Sequence, residues 1–115
     1  MIFRRKKLGS NFRYETIDSR GLQKRKKESD ISIIDIRETD EYVNGHIPGA
    51  ISHPLSNLKN SIEELDKKEE YYLVCRTGRR VQMSTKIFAE SGFEHIIKVI
   101  PGMSEWHGDI ESGNS

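Results

Sequence analysis

Short apolar, β-branched runs alternate along this chain with stretches of helical period, and that alternation narrows the fold more than any other feature. The run ISIIDI (31–36) is almost continuously hydrophobic, as expected of a strand covered on both faces. YYLV (71–74) and IIKVI (96–100) have the same character, and YETI (14–17) fits an edge strand. Between them Asp18 or Ser19 caps a helix through RGLQKRKK, against the local preference of Gly21. ETDEYV (38–43) suits a short helix ended by Gly45, and NSIEELDKKEE (60–70) a solvated one. From Arg79 the period turns helical: Val81, Ser84, Thr85 and Phe88 share a face, with Met83 and Ile87 alongside and Gly92 as the stop. Pro101-Gly102 marks a turn. This pattern predicts an α/β fold, a parallel sheet with helices on both faces, in which ligands gather at the carboxyl ends of the strands.

At 115 residues the chain has room for one domain and one modest core. A hydrophobic fraction of 34% against 32% charged residues implies solvated helix faces and frayed ends. We therefore expect a flexible basic arm at 1–13, a domain over 14–110 and a disordered end at 111–115. A net charge of +1 gives no global drive toward nucleic acid or a membrane surface. The single cysteine excludes an internal disulfide and a Cys-rich metal site, and favours a reducing, cytoplasmic setting. No stretch approaches the ~20 apolar residues of a membrane span. The basic start MIFRRKKLGSN lacks the apolar region of a signal peptide. It reads either as the flank of a lost membrane anchor or as a frayed basic tail.

The cysteine sits at the carboxyl end of one apolar run, in VCRTGRRV (74–81). Between a strand and a helix, three effects favour its thiolate together. The first-turn N–H groups of the helix have no internal partners, the helix dipole adds partial positive charge, and Arg76, Arg79 and Arg80 add full charges. Such surroundings lower a cysteine pKa from ~8.5 into the ~3.5–7.5 range. Gly78 permits the sharp turn that aims successive N–H groups at one anion. A buried packing cysteine is the commonest role for a free thiol, but three flanking cations argue for a reactive one.

A second group lies in IDIRETDEYVNGHIPGAISHP (34–54), where Asp35 and Arg37 end another strand and, in a parallel sheet, approach the Cys75 loop. Asp35 would orient a loop arginine or accept loop N–H bonds. Arg37 would stabilise the turn or approach an anionic substrate, and either residue alone equally fits an ordinary ion pair. Glu41 is spaced to pair with Arg37. His46 reads as a turn-stabilising hydrogen bonder, KRKK (24–27) as a solvated helix face, and Trp106 as a residue at the core's edge.

Three segments together resemble the small, single-domain form of the rhodanese-like family: IDIRETDEYVNGHIPGAISHPL, the loop VCRTGRRV of form Cys-x-x-Gly-x-Arg, and VIPGMSEW. They follow one another in the family's order from about Tyr14 to Trp106. The resemblance implies a three-layer α/β/α fold around a mainly parallel five-stranded sheet. It implies a sulfurtransferase in which Cys75 carries sulfane sulfur as a persulfide, from thiosulfate or a related persulfide donor to cyanide, a thiol or a protein acceptor. The N–H groups from Arg76 through Thr77, Gly78, Arg79 and Arg80 to Val81 would hold the persulfide and its developing charge. No metal or organic cofactor is implied. Pro101 departs from the Gly-Gly-Met often found in relatives, fixing φ and removing a donor. Phosphatases and arsenate reductases of the same fold resemble this chain less, since their Cys-x5-Arg loop is one residue longer and Val81 stands where the arginine would be. The shorter loop suits an exposed sulfur better than a phosphoryl group. A non-catalytic binding module of this fold is the remaining alternative.

Overall fold

The computed structural model of the chain describes residues 12–114. Its strands are β1 (Arg13–Ile17), β2 (Ser32–Asp35), β3 (Ile51–Ser52), β4 (Glu70–Val74) and β5 (His95–Val99). Its helices are α1 (Ser19–Glu28), α2 (Thr39–Asn44), α3 (Leu58–Ser61) and α4 (Arg79–Glu90), with short 3-10 turns at Leu55–Asn57, Ile62–Glu64 and Met103–Glu105. The strands pair in parallel in the order β1-β5-β4-β2-β3, so β4 lies at the centre between β5 and β2. β2 leads outward to β3, whereas β4 leads to β5 on the other side. The crevice between the carboxyl ends of β2 and β4 is therefore the point where the winding reverses.

Side chains alternate across the sheet and divide the core into two layers. Ile34, Ile36, Tyr71, Leu73 and Ile96 pack with Leu58, Val81 and Phe88 of α3 and α4. Ile33, Tyr72, Val74, Ile97 and Val99 pack with Leu22 of α1 and Tyr42 of α2, with Trp106 at the margin. Met83, expected beside the buried face of α4, points to solvent at 59% exposure. At the opposite end of the sheet, His95 lies between Glu15 and Glu70, its Nε2 and Nδ1 2.7 and 2.8 Å from their carboxylates.

Several local expectations change. Asp18, not Ser19, caps α1 by accepting the Gly21 N–H at 2.7 Å. The helix expected over 60–70 is confined to the short turns from Leu58 to Glu64. Its acidic and basic residues offer few apolar anchors beyond Leu58 and Ile62, and helices this short depend on such anchors. β3 was not foreseen, because two residues carry no period. The arm expected at 1–13 lies outside the described residues except for Phe12, which is buried, and Arg13, which begins β1. At the other end Glu111 exchanges backbone hydrogen bonds with His46 at 2.8 Å each way, and the Gly113 N–H reaches Val43. The segment expected to fray from 111 is thus held as far as Gly113.

Candidate active site

Cys75 continues the alternation of β4, so its side chain falls on the same layer as Tyr71 and Leu73, beneath α4. Gly78 adopts φ +98°, a left-handed conformation that favours glycine, and caps α4. The turn brings the Gly78 N–H back onto the Cys75 Sγ at 3.1 Å. The sulfur therefore lies at the amino end of a 12-residue helix, where unpartnered amides and the dipole favour negative charge.

The carbonyls on this bend are occupied from the other side. The Met103 N–H donates to the Cys75 oxygen and the Ser104 N–H to the Arg76 oxygen, both at 2.9 Å. In a trans peptide the C=O and the following N–H point in opposite directions, so the Arg76 and Thr77 amides face away from the 102–104 turn. Among the described residues neither amide donates to a protein acceptor. The turn approaches so closely that a methyl on Gly102, whose φ is +112°, would overlap the Cys75 carbonyl.

The cations sort into two kinds. Arg76 and Arg79 are exposed and pair with no carboxylate among the described residues. Arg80 is half-buried and grips Glu41 of α2, with Nη1–Oε1 at 2.6 Å and Nη2–Oε2 at 3.0 Å. That hydrogen bond holds the Glu41 carboxyl down at about 2, and in return raises the Arg80 pKa. The pair spans the reversal crevice. The expected partner of Glu41 was Arg37, but Arg37 folds back on its own strand. Its Nε and Nη2 bind the Asp35 carboxylate at 2.7 to 3.2 Å, and its Nη2 also reaches the Gly45 oxygen at 2.8 Å.

Asp35 and Arg37 thus reach the neighbouring strand end, as expected. Their buried ion pair braces the turn before His46, with Arg37 on the Gly45 oxygen and no loop arginine bonded to Asp35 among the described residues. His46 stacks on Tyr42 with ring centroids 3.7 Å apart and Nδ1 2.7 Å from the Tyr42 oxygen, serving the same turn. Two residues of this neighbourhood escaped the sequence reading: Glu41 as the partner of Arg80, and Ser19, whose hydroxyl binds Gly102. No local pattern reveals contacts 39 and 83 positions apart.

One expectation is corrected outright. The sulfur was expected to be exposed, whereas Cys75 is 1% exposed and belongs to the core cluster of Leu73, Val81 and Phe88. Both faces of β4 are buried, and the odd-numbered phase places the sulfur in the layer under α4. A cleft of about 590 Å3 beside Tyr42, Ala50 and Glu111 includes no residue of the 75–81 loop.

The family profile of the Rhodanese-like domain matches residues 19–109. The chain belongs to the rhodanese-like family. It is 39% identical over 90 residues to the putative sulfur carrier protein YrkF of Bacillus subtilis, covering 76% of this chain but 49% of YrkF. The chain therefore spans about half the length of that relative. It is 29% identical over 98 residues to the thiosulfate sulfurtransferase GlpE of Shewanella oneidensis, covering 85% of this chain and 95% of GlpE. Among solved structures, a rhodanese-like domain protein from Staphylococcus aureus superposes with a TM-score of 0.78 at 27% identity, over 85% of this chain and 97% of that one. The five-stranded parallel sheet with flanking helices is the rhodanese-like α/β fold. Among the described residues no helix is long and apolar enough to cross a membrane, and no cluster of His, Cys, Asp and Glu is arranged to hold a metal ion.

Proposed function

We propose that this rhodanese-like domain is a sulfurtransferase carrying sulfane sulfur as a persulfide on Cys75. The observation that carries this reading is the Gly78 N–H on Sγ at the amino end of α4, beside the free Arg76 and Thr77 amides. The Cys75 thiolate attacks the outer sulfur of thiosulfate, a new S–S bond forms, and sulfite leaves with the electrons of the bond that breaks. A thiol, cyanide or a protein acceptor then attacks the terminal sulfur and restores the thiolate, a double displacement with ping-pong kinetics. The loop amides stabilise the persulfide charge as an oxyanion hole does. Exposed Arg76 and Arg79 draw in the anionic donor, either thiosulfate or a persulfide. The likeness to GlpE, a thiosulfate sulfurtransferase, supports thiosulfate as donor, and the likeness to YrkF, a putative sulfur carrier protein, supports sulfur carriage. A reducing, cytoplasmic setting suits a lone thiolate, and the chemistry calls for no metal or organic cofactor.

Because Cys75 is 1% exposed, the reading includes an opening of the 75–81 loop that lets a donor meet Sγ. The same burial favours a second reading, a non-catalytic module in which Cys75 only packs. Incubation with thiosulfate followed by intact-mass measurement separates the two. A gain of one sulfur atom that is released by cyanide and absent in Cys75→Ser supports transfer. An unchanged mass supports the module.

A further inference from the structure

We propose that Ser19 is a positioning residue for the Cys75 loop, acting through the Gly102 turn; this rests on reading Cys75 as the sulfur-carrying nucleophile. Ser19 is the first residue of α1, yet its side chain does not serve the helix, because Asp18 fills the cap. At 3% exposure, its hydroxyl turns to the strand end that follows β5. It donates to the Gly102 oxygen at 2.6 Å and accepts the Gly102 N–H at 3.0 Å. The carbonyl is shared with the Glu105 N–H at 3.1 Å, whereas the Gly102 N–H donates to the Ser19 hydroxyl. Pro101 contributes no N–H, so that glycine amide is the first donor of the turn.

The next two amides do the work at the nucleophile. Met103 and Ser104 hold the Cys75 and Arg76 carbonyls, and that hold turns the following N–H groups toward the opposite side. Ile100 completes the support. Its N–H binds the Ile17 oxygen at 2.9 Å, and its side chain sits where a methyl on Gly78 would meet it at 3.1 Å. The 100–104 segment is thus fixed to the start of α1 on one side and to the nucleophile bend on the other. Removing the hydroxyl strands the Gly102 N–H in a buried place. The turn relaxes, and the loop amides lose the orientation that favours a charged sulfur.

The test compares the full chain with Ser19→Ala and Ser19→Thr, at a temperature where circular dichroism shows each folded. Two quantities are read: the rate of Cys75 alkylation by iodoacetamide as a function of pH, and kcat and KM for thiosulfate with cyanide as acceptor. In Ser19→Ala we expect the alkylation profile to move to higher pH and kcat to fall about tenfold with KM nearly unchanged, a smaller loss than deleting an oxyanion donor outright. Ser19→Thr keeps the hydroxyl and stays close to the wild type. A Ser19→Ala protein that matches the wild type in both readouts overturns the proposal, as does a Ser19→Thr protein as impaired as Ser19→Ala. Alkylation needs no sulfur donor. A wild type that takes up no sulfur therefore sinks the transferase reading alone, and the Ser19 link is still decided.

Discussion

Arg80 and Glu41 form a two-pronged ion pair, 2.6 and 3.0 Å, that ties the first turn of α4 to α2 across the reversal of the sheet. Glu41 does double duty, because its Oε1 also accepts the Glu38 N–H at 3.1 Å in the capping box of α2. Its carboxyl is held at about 2 against an ordinary 4.5, first by the Arg80 hydrogen bond. A carboxyl depressed on folding adds stability that is complete above 4.5 and is lost as pH falls toward 2. Because the pair is partly solvated, we expect Glu41→Gln to cost about 1 kcal/mol near neutral pH. Urea unfolding of both proteins should show this gap shrinking below pH 4.5. A gap that does not change with pH contradicts the assignment.

The free cations should tune affinity, and the paired one should tune architecture. Arg76→Ala and Arg79→Ala are each expected to raise KM for thiosulfate about fivefold, the worth of an exposed charge contact, with kcat held. Arg80→Ala should lower activity more than Lys26→Ala, since it leaves Glu41 unpaired beside the loop. Equal losses in these two would count against this placement of charge.

Gly102 is the tightest point between the last turn and the nucleophile bend. Gly102→Ala combines a φ of +112° with a methyl on the Cys75 carbonyl, and strain plus overlap of this kind costs about 2–4 kcal/mol. A thermal midpoint within experimental error of the wild type would show that the turn yields more easily than its packing implies.

Burial of Cys75 makes a kinetic claim. If loading waits on opening of the 75–81 loop, the rate should level off as donor concentration rises, at one plateau shared by thiosulfate and an aromatic thiosulfonate. Stopped-flow traces that give different plateaus, or none, would place the slow step at the chemistry.

Much of this was legible in the chain because the informative features are local. The runs at 31–36, 71–74 and 96–100 became β2, β4 and β5, and the glycine in VCRTGRRV became the left-handed cap that returns an N–H to the sulfur. What could not be read depends on partners far away in sequence. Glu41 is four residues from Arg37 but pairs with Arg80, because Arg37 is held by Asp35 and the Gly45 oxygen. Ser19 looked like a cap because its neighbour is one. The layer of the sulfur was legible, since Cys75 shares parity with Leu73, but its burial was not, because that depends on Val81 and Phe88 of α4 packing against it.

That parity has a consequence for redesign. Residues along a strand address opposite layers by odd and even count, so a one-residue insertion within Glu70–Val74 would swing the thiol from the α4 side to the α1 side with every loop residue unchanged. The motif supplies the reagents, while the counting upstream chooses the room in which they react.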